Sequence, residues 1–114
     1  MKVANEQLRE FTGTESHHPF GDGLLFTDGI LTLCQKWECF WLIDAIASHQ
    51  NGRLELEPFQ VWTLQRTTGN EFQLICDDGR RNVLRKQIIK FSDFKDDKVI
   101  LYLENKVIYL PSER

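Results

Sequence analysis

Histidines beside carboxylates are the residues of this chain best suited to chemistry. His17 and His18 stand in one short stretch with Glu15 and Asp22, and Asp28 follows closely. An imidazole held against a carboxylate can move a proton or ligate a metal. Adjacent histidines do not converge easily on one ion, however, and no HxH or HxxxH spacing occurs. A solvated loop with His18 packed beside Pro19 is the stronger reading. Asp44 is the other acid to weigh. On one unbroken helix Cys34, Trp37, Trp41, Asp44 and Ser48 share a stripe, which would put a carboxylate on the tryptophan side and raise its pKa. A break near Glu38–Cys39 instead makes Asp44 and Ser48 the wet edge of a second, shorter helix. The break is favoured, because lone buried acids are rare.

Cys34, Cys39, Cys76 and His49 are zinc-ligand types in the wrong arrangement, and free cysteine is usually a small core residue. Gly21-Asp22-Gly23 lacks the preceding strand and the following Lys-Ser/Thr of a phosphate-binding loop, and counts as a turn. The basic run is more informative. Arg80, Arg81, Arg85, Lys86 and Lys90 lie between Gly79 and Ser92 with no acid among them, leaving nine bases against seventeen acids elsewhere. Such asymmetry can steer an acidic or nucleic-acid partner. A strand would send Arg85 and Lys86 to opposite faces, though, and positive charge also protects sheet edges from unwanted pairing.

The elements that must position these groups centre on Thr27 to Gln50. Ile30, Leu33, Cys34 and Trp37 recur at helical spacing, with Thr27 or Asp28 as the N-cap. Cys39 to Ala47 is apolar almost all round, the mark of a helix surrounded by protein. Asn5 to Phe11 reads as a short helix, Thr12 to Gly23 as loop, and Leu24 to Phe26 as an apolar bridge. After Gly52 the pattern turns strand-like. Phe59 to Thr67 and Glu71 to Cys76 flank the hairpin signal Thr68-Gly69-Asn70. Val83 to Phe91 is extended with poor alternation, and Lys98 to Glu104 and Lys106 to Leu110 join around Asn105. The last two carry apolar residues on both faces, as strands covered twice do.

The predicted fold is α+β, with N-terminal helices packed on one face of a four- to five-stranded antiparallel meander sheet. Residues 1–114 are read as one domain, mainly helical over 1–52 and mainly antiparallel strands over 53–114. The chain is 41% hydrophobic and 27% charged, a globular composition, and its net charge of −3 gives no global pull toward nucleic acid or anionic membrane. No apolar run reaches the length of a membrane span, and three unframed cysteines suit reduced thiols. A cytoplasmic setting is expected.

Six segments in order, Phe11 to Glu15 (FTGTE), His18-Pro19, Phe26 to Gly29 (FTDG), Trp41 to Ser48 (WLIDAIAS), Phe59 to Trp62 (FQVW) and Leu110 to Glu113 (LPSE), resemble a family of short bacterial proteins. Its members also occur in phages and mobile elements and are described only as a domain of unknown function. The resemblance spans almost the whole chain and implies no activity, cofactor or catalytic residue. At Asp78-Gly79-Arg80-Arg81 and Asp93-Phe94-Lys95 this chain is more basic than the family pattern.

The reading that follows is a non-catalytic protein-interaction module without cofactor, with a homodimer through the C-terminal hairpin as one assembly. One alternative is a nucleic-acid-binding module using Arg80, Arg81, Arg85, Lys86 and Lys90. The other is a small enzyme drawing on His17, His18, Asp28 or Asp44 at the loop–helix junction.

Overall fold

Side-chain alternation lays out the C-terminal half, and pairing with it recruits the N-terminal segments. The computed structural model describes residues 1–21 and 23–114. A 3-10 turn (Ala4–Leu8) is followed by strands β1 (His17–Gly21) and β2 (Leu24–Thr27) and by helices α1 (Asp28–Lys36) and α2 (Phe40–Ser48). A second 3-10 turn (Leu54–Leu56) leads into β3 (Phe59–Thr68), β4 (Glu71–Asp77) and β5 (Val83–Ile89). Then come β6 (Lys98–Glu104), β7 (Val107–Tyr109) and a closing 3-10 turn (Pro111–Glu113).

The strands form one sheet in the order β1-β2-β7-β6-β3-β4-β5. Neighbours are antiparallel except β2 and β7, which run parallel with Leu25 opposite Val107 and Phe26 opposite Ile108. The four- to five-stranded antiparallel meander is therefore corrected: among the described residues the sheet is mixed, has seven strands and is accompanied by two α-helices, the class remaining α+β. The added strands come from the stretch read as loop and apolar bridge. Strand β1 contains Pro19 and Gly21, poor strand formers, and its register with β2 shifts between them. It is an edge strand, where a missing N–H leaves no partner unsatisfied. Strand β2 is too short to show a period of two. The segment 1–52 thus supplies two strands as well as the helices.

The Asn5–Phe11 helix is also corrected to the 3-10 turn Ala4–Leu8. Asn5 is no cap. Its Nδ2 donates to Ile100 O (2.8 Å) and its Oδ1 accepts from Ile100 N (2.7 Å), filling the edge of β6 beyond the end of β7.

On one sheet face Trp62, Leu64, Phe72, Leu74, Val99, Leu101 and Ile108 are buried in a cluster with Leu33, Leu42, Ile43 and Ile46 from the helices. Fully burying a side chain of this size contributes about 1.5–3 kcal/mol, so a one-residue register slip would be prohibitive. The helical stretch breaks between Lys36 and Phe40. Glu38 takes a left-handed conformation (φ 53°), and Cys39 N donates to Cys34 O across the turn. This is a Schellman-type stop built on glutamate in place of glycine, with the two cysteines making its apolar contact. The break rotates α2 so that Asp44 and Ser48 face solvent.

The other sheet face carries Val61, Thr63, Ile75, Ile100 and Tyr102, all partly exposed. Both helices bury their apolar sides against the opposite face, so no second helical layer covers these residues.

Candidate functional site

Strand β1 and the first turn of α1 bring His18 and Asp28 together. His18 Nε2 lies 2.9 Å from Asp28 Oδ1 and must be the donor, since a carboxylate only accepts. Asp28 Oδ2 accepts from the backbone N–H groups of Glu15 (3.1 Å) and Ser16 (3.3 Å), and Asp28 N donates to Thr14 Oγ1 (3.0 Å). The His18 hydrogen bond, helped by those two amides and opposed by partial burial, holds the Asp28 carboxyl below its ordinary range. A cleft of about 470 Å³ beside it is lined by Glu10, Thr12, Thr14, Glu15 and Asp28. The pair has the form of a base and its orienting acid. Thr14, the adjacent hydroxyl, already donates to Ser16 O (2.6 Å), so the local chemistry is that of a clamp on residues 14–16.

The remaining polar candidates are dispersed. His17 is exposed on the side of β1 opposite His18, Asp44 is exposed on α2, and Asp22 lies outside the described residues. His49 stacks against Trp62 with ring centroids 5.4 Å apart, and its Nε2 donates to Gln87 Oε1 (2.8 Å). Cys34, Cys39 and Cys76 are free and buried. The hydrogen bond with Cys39, and then burial, push the Cys34 thiol well above its ordinary range. Burial pushes Cys76 up to about 12. Among the described residues no three of His, Cys, Asp and Glu gather as metal ligands would.

Two polar knots went unread in the sequence. Glu113 Oε1 accepts from Thr27 Oγ1 (2.6 Å) and Leu110 N (2.8 Å), and its Oε2 accepts from Gly29 N (3.2 Å). Thr27 Oγ1 in turn accepts from Ile30 N (3.3 Å), so the Glu113 side-chain carboxylate completes the cap of α1. Gly29 is required here, because a Cβ would lie 2.7 Å from Leu110 Cδ1 and 2.8 Å from the Glu113 carboxyl. The second knot is Gln60, 2% exposed. It exchanges hydrogen bonds with Gln50 (2.8 and 2.9 Å), donates to Leu54 O and accepts from Trp62 Nε1. All four of its hydrogen-bonding positions are filled. A cleft of about 530 Å³ opens over this pair and is lined also by Glu55, Glu57 and Glu104. The FTGTE, HP, FTDG and LPSE segments therefore meet around the start of α1, and FQVW supplies the second knot.

The basic residues lie at the far end of the sheet. Arg80 and Arg81 are exposed in the β4–β5 turn, whose N–H groups are held by the carboxylates of Asp77 and Asp78. Arg85 stands opposite Cys76 and Lys86 opposite Ile75, so their side chains leave on opposite faces. Lys90 follows the strand. β5 pairs with β4 alone and closes the sheet on that side. What the sequence did not disclose is the company these cations keep. Val83 (63%), Ile88 (49%) and Phe91 (72%) are among the few large hydrophobic side chains left exposed.

No helix among the described residues is long and apolar enough to cross a membrane. No curated protein and no solved structure matches the chain. A family profile matches residues 2–114, and on that span the chain belongs to the Family of unknown function (DUF6876).

Proposed function

We propose that this protein is a non-catalytic protein-interaction module of the cytoplasm, borne on bacterial or phage genomes, that pairs with a second copy through its uncovered sheet face. The observation that carries this reading is the one-sided sheet. Both helices bury the same face, while the other presents Val61, Ile75 and Ile100 at its centre with Glu71, Asp77, Lys86 and Lys98 around them, and Tyr102 beside them packs against Tyr109 and the Arg114 guanidinium. An apolar centre with a charged rim is the anatomy of an interface. Five strands span roughly 24 Å by roughly 20 Å, about 500 Å² per copy and about 1,000 Å² in a pair, at the threshold of a stable contact. Acids and bases both occur on that rim, as a self-complementary two-fold contact needs. The free thiols suit a reducing compartment.

Sedimentation velocity over a concentration series tests the proposal. The wild type moves from monomer toward dimer, and Ile100→Glu, at unchanged circular dichroism, stays monomeric. A wild type that is monomeric at the highest concentration, or a variant that pairs equally well, would sink it.

A further inference from the structure

We propose that the outer edge of β5 is a docking site for an extended acidic segment of another protein, which adds to the sheet as an eighth strand. This extends the interaction reading to a second surface and does not depend on the dimer.

The two edges of the sheet are built differently. β1 is blunted by Pro19 and by the register shift beside it, devices that discourage a further strand. β5 has seven residues and no proline, and it pairs on one side only, the Arg85 guanidinium donating to its Leu84 O (2.9 Å), a bond an incoming strand could replace with a carboxylate for the guanidinium. Val83 and Ile88 are exposed along it and Phe91 just beyond, an uncommon load of apolar surface for an edge open to water. An added strand would cover part of that surface while its main chain satisfied the edge.

Charge selects the occupant. Arg85, Lys86 and Lys90 follow the strand, with Arg80 and Arg81 at its entrance, and none of the five makes an ion pair among the described residues. A second β5 laid against the first would set cation against cation, which opposes self-pairing along this edge. An acidic strand meets the opposite condition. With Arg85 and Lys86 on opposite faces, a partner carrying carboxylates on both of its faces finds a cation for each. That two-faced arrangement fits a strand lying in the plane of the sheet. A nucleic-acid backbone would need the cations gathered on one side. Main-chain pairing would then supply affinity and the cations selectivity, as in other cases of strand addition.

A fluorescein-labelled peptide of Val-Val-Glu-Glu repeats, which sets carboxylates on both faces of an extended strand, tests the proposal directly. Its controls are the valine–lysine analogue, the same acidic peptide interrupted by prolines, and a single-stranded DNA oligonucleotide. The acidic peptide is expected to bind saturably and at least about tenfold more tightly than every control, with affinity falling as salt rises. Amide-exchange protection should be gained over Val83–Ile89. The variant R85E/K86E/K90E, at unchanged circular dichroism, should prefer the valine–lysine peptide. Equal binding of the acidic and basic peptides overturns the proposal, as does equal binding of the proline-interrupted peptide. Tighter binding of the oligonucleotide would point to nucleic acid instead. Protection on another strand, or no binding by any probe, also ends it. Repeating the titration on Ile100→Glu, whose new carboxylate lies on β6 three strands from β5, separates this edge from the sheet-face dimer, since the variant that loses pairing should still take the peptide.

Discussion

Removing the Glu113 carboxylate is expected to loosen the start of α1 and the closing 3-10 turn at once. In Glu113→Ala the Leu110 and Gly29 N–H groups and the Thr27 hydroxyl lose their acceptor. A hydrogen bond to a charged group is worth about 1.5–3 kcal/mol when dry, and Glu113 is only part-buried, so the three together are expected to cost about 2–4 kcal/mol. Loss of the negative charge at the start of α1 is part of that sum, about 0.3–1 kcal/mol. Glu113→Gln keeps one oxygen for Thr27 and Leu110 but turns an amide N–H₂ toward Gly29 N–H, for about half the loss. Urea denaturation gives the stability differences, and exchange of the Gly29 and Ile30 amides reports whether the first turn of α1 opens. Thr27→Ala costs about 1 kcal/mol as a lost cap. Combined with Glu113→Ala it should be less than additive, by about 1 kcal/mol, since the two share a hydrogen bond. If Glu113→Ala lies within about 0.5 kcal/mol of wild type, or the cycle is additive, the carboxylate does not latch the helix and the reasoning fails.

Three further outcomes follow from the same geometry. Gly29→Ala gains helix propensity of about 1 kcal/mol but drives a Cβ into Leu110 and Glu113, and a net loss of about 1–2 kcal/mol in thermal unfolding is expected. A more stable variant would show that those side chains yield freely. Glu38→Gly relieves the left-handed strain at the α1–α2 break and should gain about 0.5–1 kcal/mol, measured as a higher urea midpoint at unchanged slope. Asp28 is held below its ordinary 3.8 by His18, so its contribution is complete above pH 3.8 and is lost as pH falls through the folded value. Asp28→Asn should flatten the acid limb of the stability curve, and an unchanged limb would assign acid unfolding to other carboxylates.

Much of the sheet was legible because the signal was local. Phe72, Leu74 and Cys76 alternate with Glu71 and Gln73, and the strand falls where that alternation lies. The break at Glu38 could be anticipated because the apolar stripe changes phase there. β1 was hidden because Pro19 and Gly21 belong to the vocabulary of turns, and its place comes from a partner strand rather than from propensity. The Glu113 knot left no trace because it joins segments far apart in the chain, and periodicity records only neighbours. The basic run was plain as charge, yet its setting was not. Exposure of Val83 and Ile88 follows from β5 being last in the strand order, which no local pattern encodes.

The parallel contact of Leu25 with Val107 and of Phe26 with Ile108 bears on how the protein is made. A chain emerging from the ribosome holds its first hairpin early, but the strand that receives it is synthesised only after β3 to β6. Until then β2 has one pairing side vacant and the helices have no finished floor to settle on. Assembly of the centre is therefore expected to wait for β7, and a product that stops short of that strand should be sticky.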